Sequence, residues 1–93
     1  MSFNQQSAVE KAKKDLAGRL NIAPDKIQTV SVSEKDFPDM SLGAPVADEM
    51  SAQMISGGWQ INLTADGKQY EYRADKHQVR LRGFGGNNFI IES

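Results

Sequence analysis

The 93-residue chain carries one histidine and no cysteine. Those two counts remove disulfides, thiolate zinc sites and a cysteine nucleophile, and they leave little from which to build a histidine-dependent triad. His77 stands between Lys76 and Gln78 in a turn, and spacing sets no acid or base beside it, so it reads as a turn residue. Asp36, Asp39, Asp48 and Glu49 share one segment and could gather Ca²⁺, but their spacing matches no EF-hand, and a solvated acidic loop is the expectation. Glycines around Phe84 do not form a dinucleotide fingerprint, because G-x-G-x-x-G is not matched and no helix follows. The expectation is a protein that is not an enzyme and takes no cofactor and no metal.

Composition narrows the class without naming a function. Net charge is −1, charged residues make up 25% and hydrophobic residues 39%. Such a balance suits a folded single domain, residues 1–93, and neither a disordered polyelectrolyte nor a basic nucleic-acid module. No apolar run approaches the roughly 20 residues that span a bilayer. Residues 1–8 show no basic start followed by an apolar run, and the missing cysteines fit a reducing compartment, so a cytoplasmic location is expected, with no nucleic-acid or membrane partner.

The elements that would position any site read as a helix followed by strands. Ser7 and Glu10 have capping-box spacing, and Val9, Ala12, Leu16 and Leu20 recur at helical period, which predicts a helix over about 7–21. Asn21 suits a left-handed cap and Pro24 stops continuation. Residues 27–33 alternate, with Val30 and Val32 on one face, and predict a half-buried strand. Residues 34–49 hold two prolines, a glycine and five acids and predict a long loop. Within it, Phe37, Met40 and Leu42 form an apolar cluster expected to fold back over a sheet edge.

The strongest signal is an antiparallel meander over about 51–82. Trp59, Ile61 and Leu63 alternate with polar residues up to Asp66-Gly67, a hairpin turn signal, and Tyr70, Tyr72 and Ala74 alternate after it. A two-residue turn sets Leu63 opposite Tyr70, Ile61 opposite Tyr72 and Trp59 opposite Ala74, all on one face. A second turn at 75–78 sets Ala74 opposite Val79 and Tyr72 opposite Leu81. The regular alternation makes the aromatics core residues and not a stacking platform for bases. The far face would carry Glu71, Arg73, Arg80 and Arg82 with Gln60 and Asn62, and a solvated face is expected there. Residues 84–93 predict a glycine-rich loop and an edge strand. Together these give an α+β domain, one N-terminal amphipathic helix on one face of a four- to five-stranded antiparallel sheet.

Two segments carry resemblances. Phe37-Pro38-Asp39-Met40-Ser41-Leu42-Gly43-Ala44-Pro45, then Gln53-Met54, Gly57-Gly58-Trp59 and Tyr70-Glu71-Tyr72-Arg73, resemble a group of small uncharacterised bacterial proteins. That group has a W-P-D-G-S-L-G-C-P segment, a Q-V near P-G-Y and a strand ending Y-x-Y-H. Ala44 and Arg73 depart from its cysteine and histidine, and the closing cysteine is missing. That resemblance implies a fold and no activity. Gln53-Met54-Ile55-Ser56-Gly57 also resembles the Q-x-V-x-G hairpin of cystatin-type, stefin-like cysteine protease inhibitors. In that family the N-terminus and two hairpin loops form a wedge that enters the protease cleft uncut. The second resemblance implies a protein partner, a papain-like cysteine protease, contacted by Gln53, Met54, Ile55, Ser56 and Gly57, with Phe84 and Gly85 as the second loop. Here no glycine precedes the helix and no Pro-Trp second loop exists.

The functional expectation is therefore a non-catalytic protein-binding module of cystatin-like architecture, a monomer or weak homodimer. Its sharpest form requires Ser56–Gly58 and Phe84–Asn87 to be neighbouring exposed loops. The alternative is a subunit-interaction or structural module that pairs through an edge strand at 89–91 or 50–55.

Overall fold

The computed structural model describes residues 2–47, 49–50 and 52–92. Helix α1 runs Gln5–Leu20, and a 3-10 turn follows at Pro24–Lys26. Five strands come next: β1 (Gln28–Phe37), β2 (Ser56–Ala65), β3 (Lys68–Asp75), β4 (Val79–Phe84) and β5 (Asn87–Glu92). They form one antiparallel sheet in sequence order, so β1 and β5 are its edges. The α+β helix-on-sheet architecture is as the patterning implies.

The helix begins earlier than its Ser7–Glu10 spacing suggests. Asn4 is the N-cap: its side chain accepts from the Ser7 N–H at 2.8 Å, and the Ser7 hydroxyl accepts from the Asn4 N–H at 2.9 Å. Ser7 thus takes the N3 role of the capping box, which adds half a turn. At the other end Asn21 adopts the left-handed conformation, with φ 56°. Ala8, Ala12, Leu16 and Ala17 are the buried helix positions, and Val9 and Leu20 pack at the margin. Small alanines let the helix sit close on the sheet.

The meander has the register its alternation dictates. Leu63 opposes Tyr70, Ile61 opposes Tyr72, Trp59 opposes Ala74, and Tyr72 opposes Leu81. Asp66 and Gly67 both have positive φ, 51° and 77°, as the hairpin turn that twists with its strands requires. Tyr72 is fully buried and its hydroxyl donates to Asp15 Oδ2 at 2.7 Å, which ties α1 to β3. Burial and that hydrogen bond both push the phenol upward from its ordinary value.

β1 departs from its alternation. The register slips between Thr29 and Ser31, a bulge that throws Val30 outward to 54% exposure, while Val32 still opposes Ile61 over the core. Beyond the bulge the strand continues to Phe37, so 34–37 is strand and not loop. Phe37 lies on the opposite face from the helix and is fully buried.

That burial marks the largest difference from expectation. The far face of the sheet is not a solvated one. Residues 38–47 and Glu49 fold across it as a strap, and Leu42 and Ala44 are fully buried beneath. The apolar cluster of the loop therefore covers the sheet's second face and not its edge. Arg73 stacks its guanidinium over the Phe37 ring at 5.6 Å. The domain thus has three layers: helix, sheet and strap.

A second apolar layer makes Phe37 a core residue. Phe37→Ala should cost about 3–5 kcal/mol, whereas Val30→Ala at the bulge should stay within about 0.5 kcal/mol. Urea unfolding of both variants measures the difference, and equal small effects would deny the strap a structural role.

Candidate functional site

Strand direction decides which loops can act together. In an antiparallel meander successive connections alternate between the two ends of the sheet. The 38–55 connection and the 76–78 turn fall at one end, and the 66–67 and 85–86 turns at the other. Phe84 and Gly85 therefore lie at the opposite end from Gln53, Met54, Ile55, Ser56 and Gly57. The expected neighbouring pair of loops, Ser56–Gly58 with Phe84–Asn87, does not form. Instead Phe84 ends β4, packs at 6.0 Å from Tyr70 and 6.2 Å from Phe89, and sits under Arg19. Gly85 and Gly86, both at positive φ, make the tight turn into β5.

The first end gathers three separate stretches of chain. Phe3 donates its N–H to the Lys76 carbonyl at 2.8 Å, which draws the N-terminal residues to the β3–β4 turn. Asp75 organises that turn. Its buried carboxylate accepts from the His77 N–H at 2.7 Å, the Gln78 N–H at 2.9 Å and the Ser56 hydroxyl at 2.7 Å. The last bond joins the turn to the start of β2. Ser56 and Gly57 are strand residues, opposite Phe37 and Asp36, so the tip of a loop is not where they sit. Gly58 opposes Asp75, and a Cβ there would collide with the Ala74 carbonyl, which explains the glycine.

The exposed residues of this end include Met50, residues 52–55, and Lys76 with His77 of the turn. Met50, Met54 and Ile55 are 98%, 64% and 78% exposed, and Gln53 is exposed between them. A hydrogen bond from the Met40 N–H to the Ala52 carbonyl, 3.0 Å, holds the segment against the strap.

The strap itself is fastened by side chains of the sheet. Gln78 Nε2 donates to the Met40 carbonyl at 2.7 Å, Arg73 Nη1 to Leu42 at 3.1 Å and Arg82 Nε to Gly43 at 3.3 Å. Arg80 Nη1 donates to Ala44 at 3.1 Å and Asn88 Nδ2 to Pro45 at 2.8 Å. Gly43 has positive φ and a Cβ on it would strike Arg73 Nη1, so glycine admits the arginine. Arg73 and Arg80 are register partners, and two carboxylates offset their repulsion. Glu71 takes Arg73 at 2.6 Å and reaches Arg82 at 3.5 Å. Glu49 takes Arg80 in a two-pronged ion pair, with Nη1 to Oε1 at 2.6 Å and Nη2 to Oε2.

The acids of the strap are thus occupied separately. Asp39 accepts from the Ser41 hydroxyl and N–H, which hold its carboxyl below its ordinary value of 3.8. Among the described residues no three His, Cys, Asp or Glu side chains converge as a metal site, and Asp48 lies outside those residues.

A family model described as Domain of unknown function (DUF8738) matches residues 9–82. The chain belongs to that family. No curated protein and no solved structure matches. The DUF8738 match runs from the buried helix through the strap and the 50–55 segment to the arginines of β4 and stops short of β5. Sequence reasoning missed Phe3, Asp75 and His77 as members of this end, although counting alternate turns from Asp66-Gly67 would have found the last two.

Two adjacent glycines separate backbone fit from loop flexibility in this DUF8738 domain. Gly57→Ala meets only Asp36 Oδ1 at an ordinary 3.5 Å and should change stability by under about 0.5 kcal/mol. Gly58→Ala meets backbone and should cost about 2 kcal/mol or more. Thermal melts of the two variants give the comparison.

Proposed function

We propose that this protein is a non-catalytic protein-binding module and that residues 50–55 are its contact segment. The observation that carries the reading is the exposure of Met50, Met54 and Ile55 together on one short stretch. Large apolar side chains grouped in solvent mark interaction sites, and methionine adapts its shape to a partner surface. The stretch is anchored on both sides, by the strap and by β2, so a partner would meet a pre-positioned segment and little ordering cost would fall on binding.

The narrower form is inhibition of papain-like cysteine proteases. Its support is the meeting of the N-terminal residues, the segment Gln53–Gly57 and the 76–78 turn at one end, which suits a three-part wedge. Phe84 and Gly85 have no place in it, and Lys76 with His77 would supply the second loop. A second reading, pairing between copies through an edge strand, draws on the open outer edges of β1 and β5 among the described residues. Concentration-dependent mass would favour that reading.

Assays against a panel of papain-like proteases test the narrower form. Submicromolar inhibition is expected, weakened about 100-fold by Ile55→Glu, which corresponds to about 2.7 kcal/mol. Val30→Glu puts the same charge at an exposed valine away from the contact end and should leave inhibition unchanged. No inhibition at about 100 µM, a level that corresponds to less than about 5.5 kcal/mol of affinity, would overturn the inhibitor form.

A further inference from the structure

The strap ends where the contact segment begins. Glu49 directly precedes Met50, and its carboxylate is held by Arg80, a β4 residue only 4% exposed. Every arm of that guanidinium is used: Nη1 and Nη2 on Glu49, Nη1 also on the Ala44 carbonyl, and Nε on Gln78 Oε1 at 2.7 Å. Gln78 passes the constraint on, because its Nε2 holds the Met40 carbonyl while the Met40 N–H holds Ala52. Glu49 also receives the Val46 N–H at 3.2 Å, which closes the last turn of the strap. One buried cation therefore holds the entry to the 50–55 segment, at Glu49 directly, and a point within it, at Ala52 through Gln78 and Met40.

We propose that Arg80 and Glu49 form a positioning latch that sets the direction in which residues 50–55 leave the sheet. The link to function rests on the reading of that segment as the contact surface. Arg80 touches no partner; it acts through Glu49, Gln78 and the strap. The pairing is charge-assisted and two-pronged, so it specifies geometry as well as proximity. Among the described residues, Arg73 on β3 is taken by Glu71, and Ile90, opposite Arg80 on β5, is uncharged. Among the described residues Asp39 is an acid close enough to feel the pair.

The latch has a defined response to acid. The Arg80 hydrogen bonds hold the Glu49 carboxyl below its ordinary 4.5. A carboxyl depressed in the folded state stabilises that state fully above its ordinary value and loses the contribution as pH falls through the depressed one. The latch is therefore closed at neutral pH and opens in acid.

Hydrogen exchange read by mass spectrometry tests this without any partner. In Glu49→Ala at neutral pH, the hydrogen-bonded strap amides of Met40, Leu42 and Ala44 should exchange about tenfold faster, Met40 reporting the hold on Ala52, while those of β2 and β3 beyond Gly58 keep wild-type protection, which shows that the fold persists. Arg80→Lys should recover part of the protection that Arg80→Met loses. In the wild type, after correction for intrinsic rates, protection of Met40, Leu42 and Ala44 should fall as acid titrates Glu49. Glu49→Gln should lack that step, which separates Glu49 from Asp39. Unchanged exchange of Met40, Leu42 and Ala44 in Glu49→Ala overturns the latch, whatever the proteases show. Faster exchange with undiminished protease inhibition keeps the latch and overturns the contact reading of 50–55.

Discussion

A peptide segment without secondary structure can be buried only if its carbonyls find donors. Here the donors are side chains of the sheet, Arg73, Gln78, Arg80, Arg82 and Asn88, each aimed at a carbonyl between Met40 and Pro45. The third layer depends on this row. Without it, folding the strap down would strand several carbonyls away from water, at about 1–3 kcal/mol for each buried one. With it, Phe37, Leu42 and Ala44 become core, and no buried side-chain nitrogen or oxygen among the described residues lacks a partner.

The two faces of the sheet solve the same problem with different chemistry. Toward the helix, alternate aliphatic and aromatic residues meet small alanines, and one hydrogen bond from Tyr72 to Asp15 aligns the layers. Toward the strap, long polar side chains lie along the sheet. Their stems cover apolar surface while their heads find carbonyls and carboxylates. Three arginines on neighbouring strands would repel one another, and Glu71 and Glu49 compensate them from within the sheet and from the strap. The strap is held by directional bonds, so its course is specified as closely as that of a strand.

Direction in the sheet then settles what can cooperate. The first end brings Phe3, the 50–55 segment and the 76–78 turn together, with Asp75 joining the turn to β2. The other end holds the aromatic cluster of Tyr70, Phe84 and Phe89 under Arg19, a packed corner. The proposed contact surface, its latch and the match to the DUF8738 family all involve the strap side of the molecule.

The sequence by itself determined the helix, the meander and the register of β2, β3 and β4. Those features follow from local period and turn chemistry: Asp66-Gly67 sets a two-residue hairpin, and Trp59 to Leu81 then fall on one face without reference to the rest of the chain. It extended the meander back to about residue 51, whereas β2 begins at Ser56 and residues 52–55 form no strand, so the exposure of Met54 and Ile55 belongs to the tertiary structure. Only the tertiary structure decided the bulge at Val30, which reverses the face that simple alternation gives. It alone decided the fate of the arginine face, since a charged stripe reads as solvated until another segment is seen to lie on it. The strap hydrogen bonds join residues roughly 30 to 45 positions apart, and no local pattern encodes such a pairing. The separation of Phe84 and Gly85 from Gln53–Gly57 is also tertiary in kind, because it comes from the parity of strand crossings and not from the loops themselves.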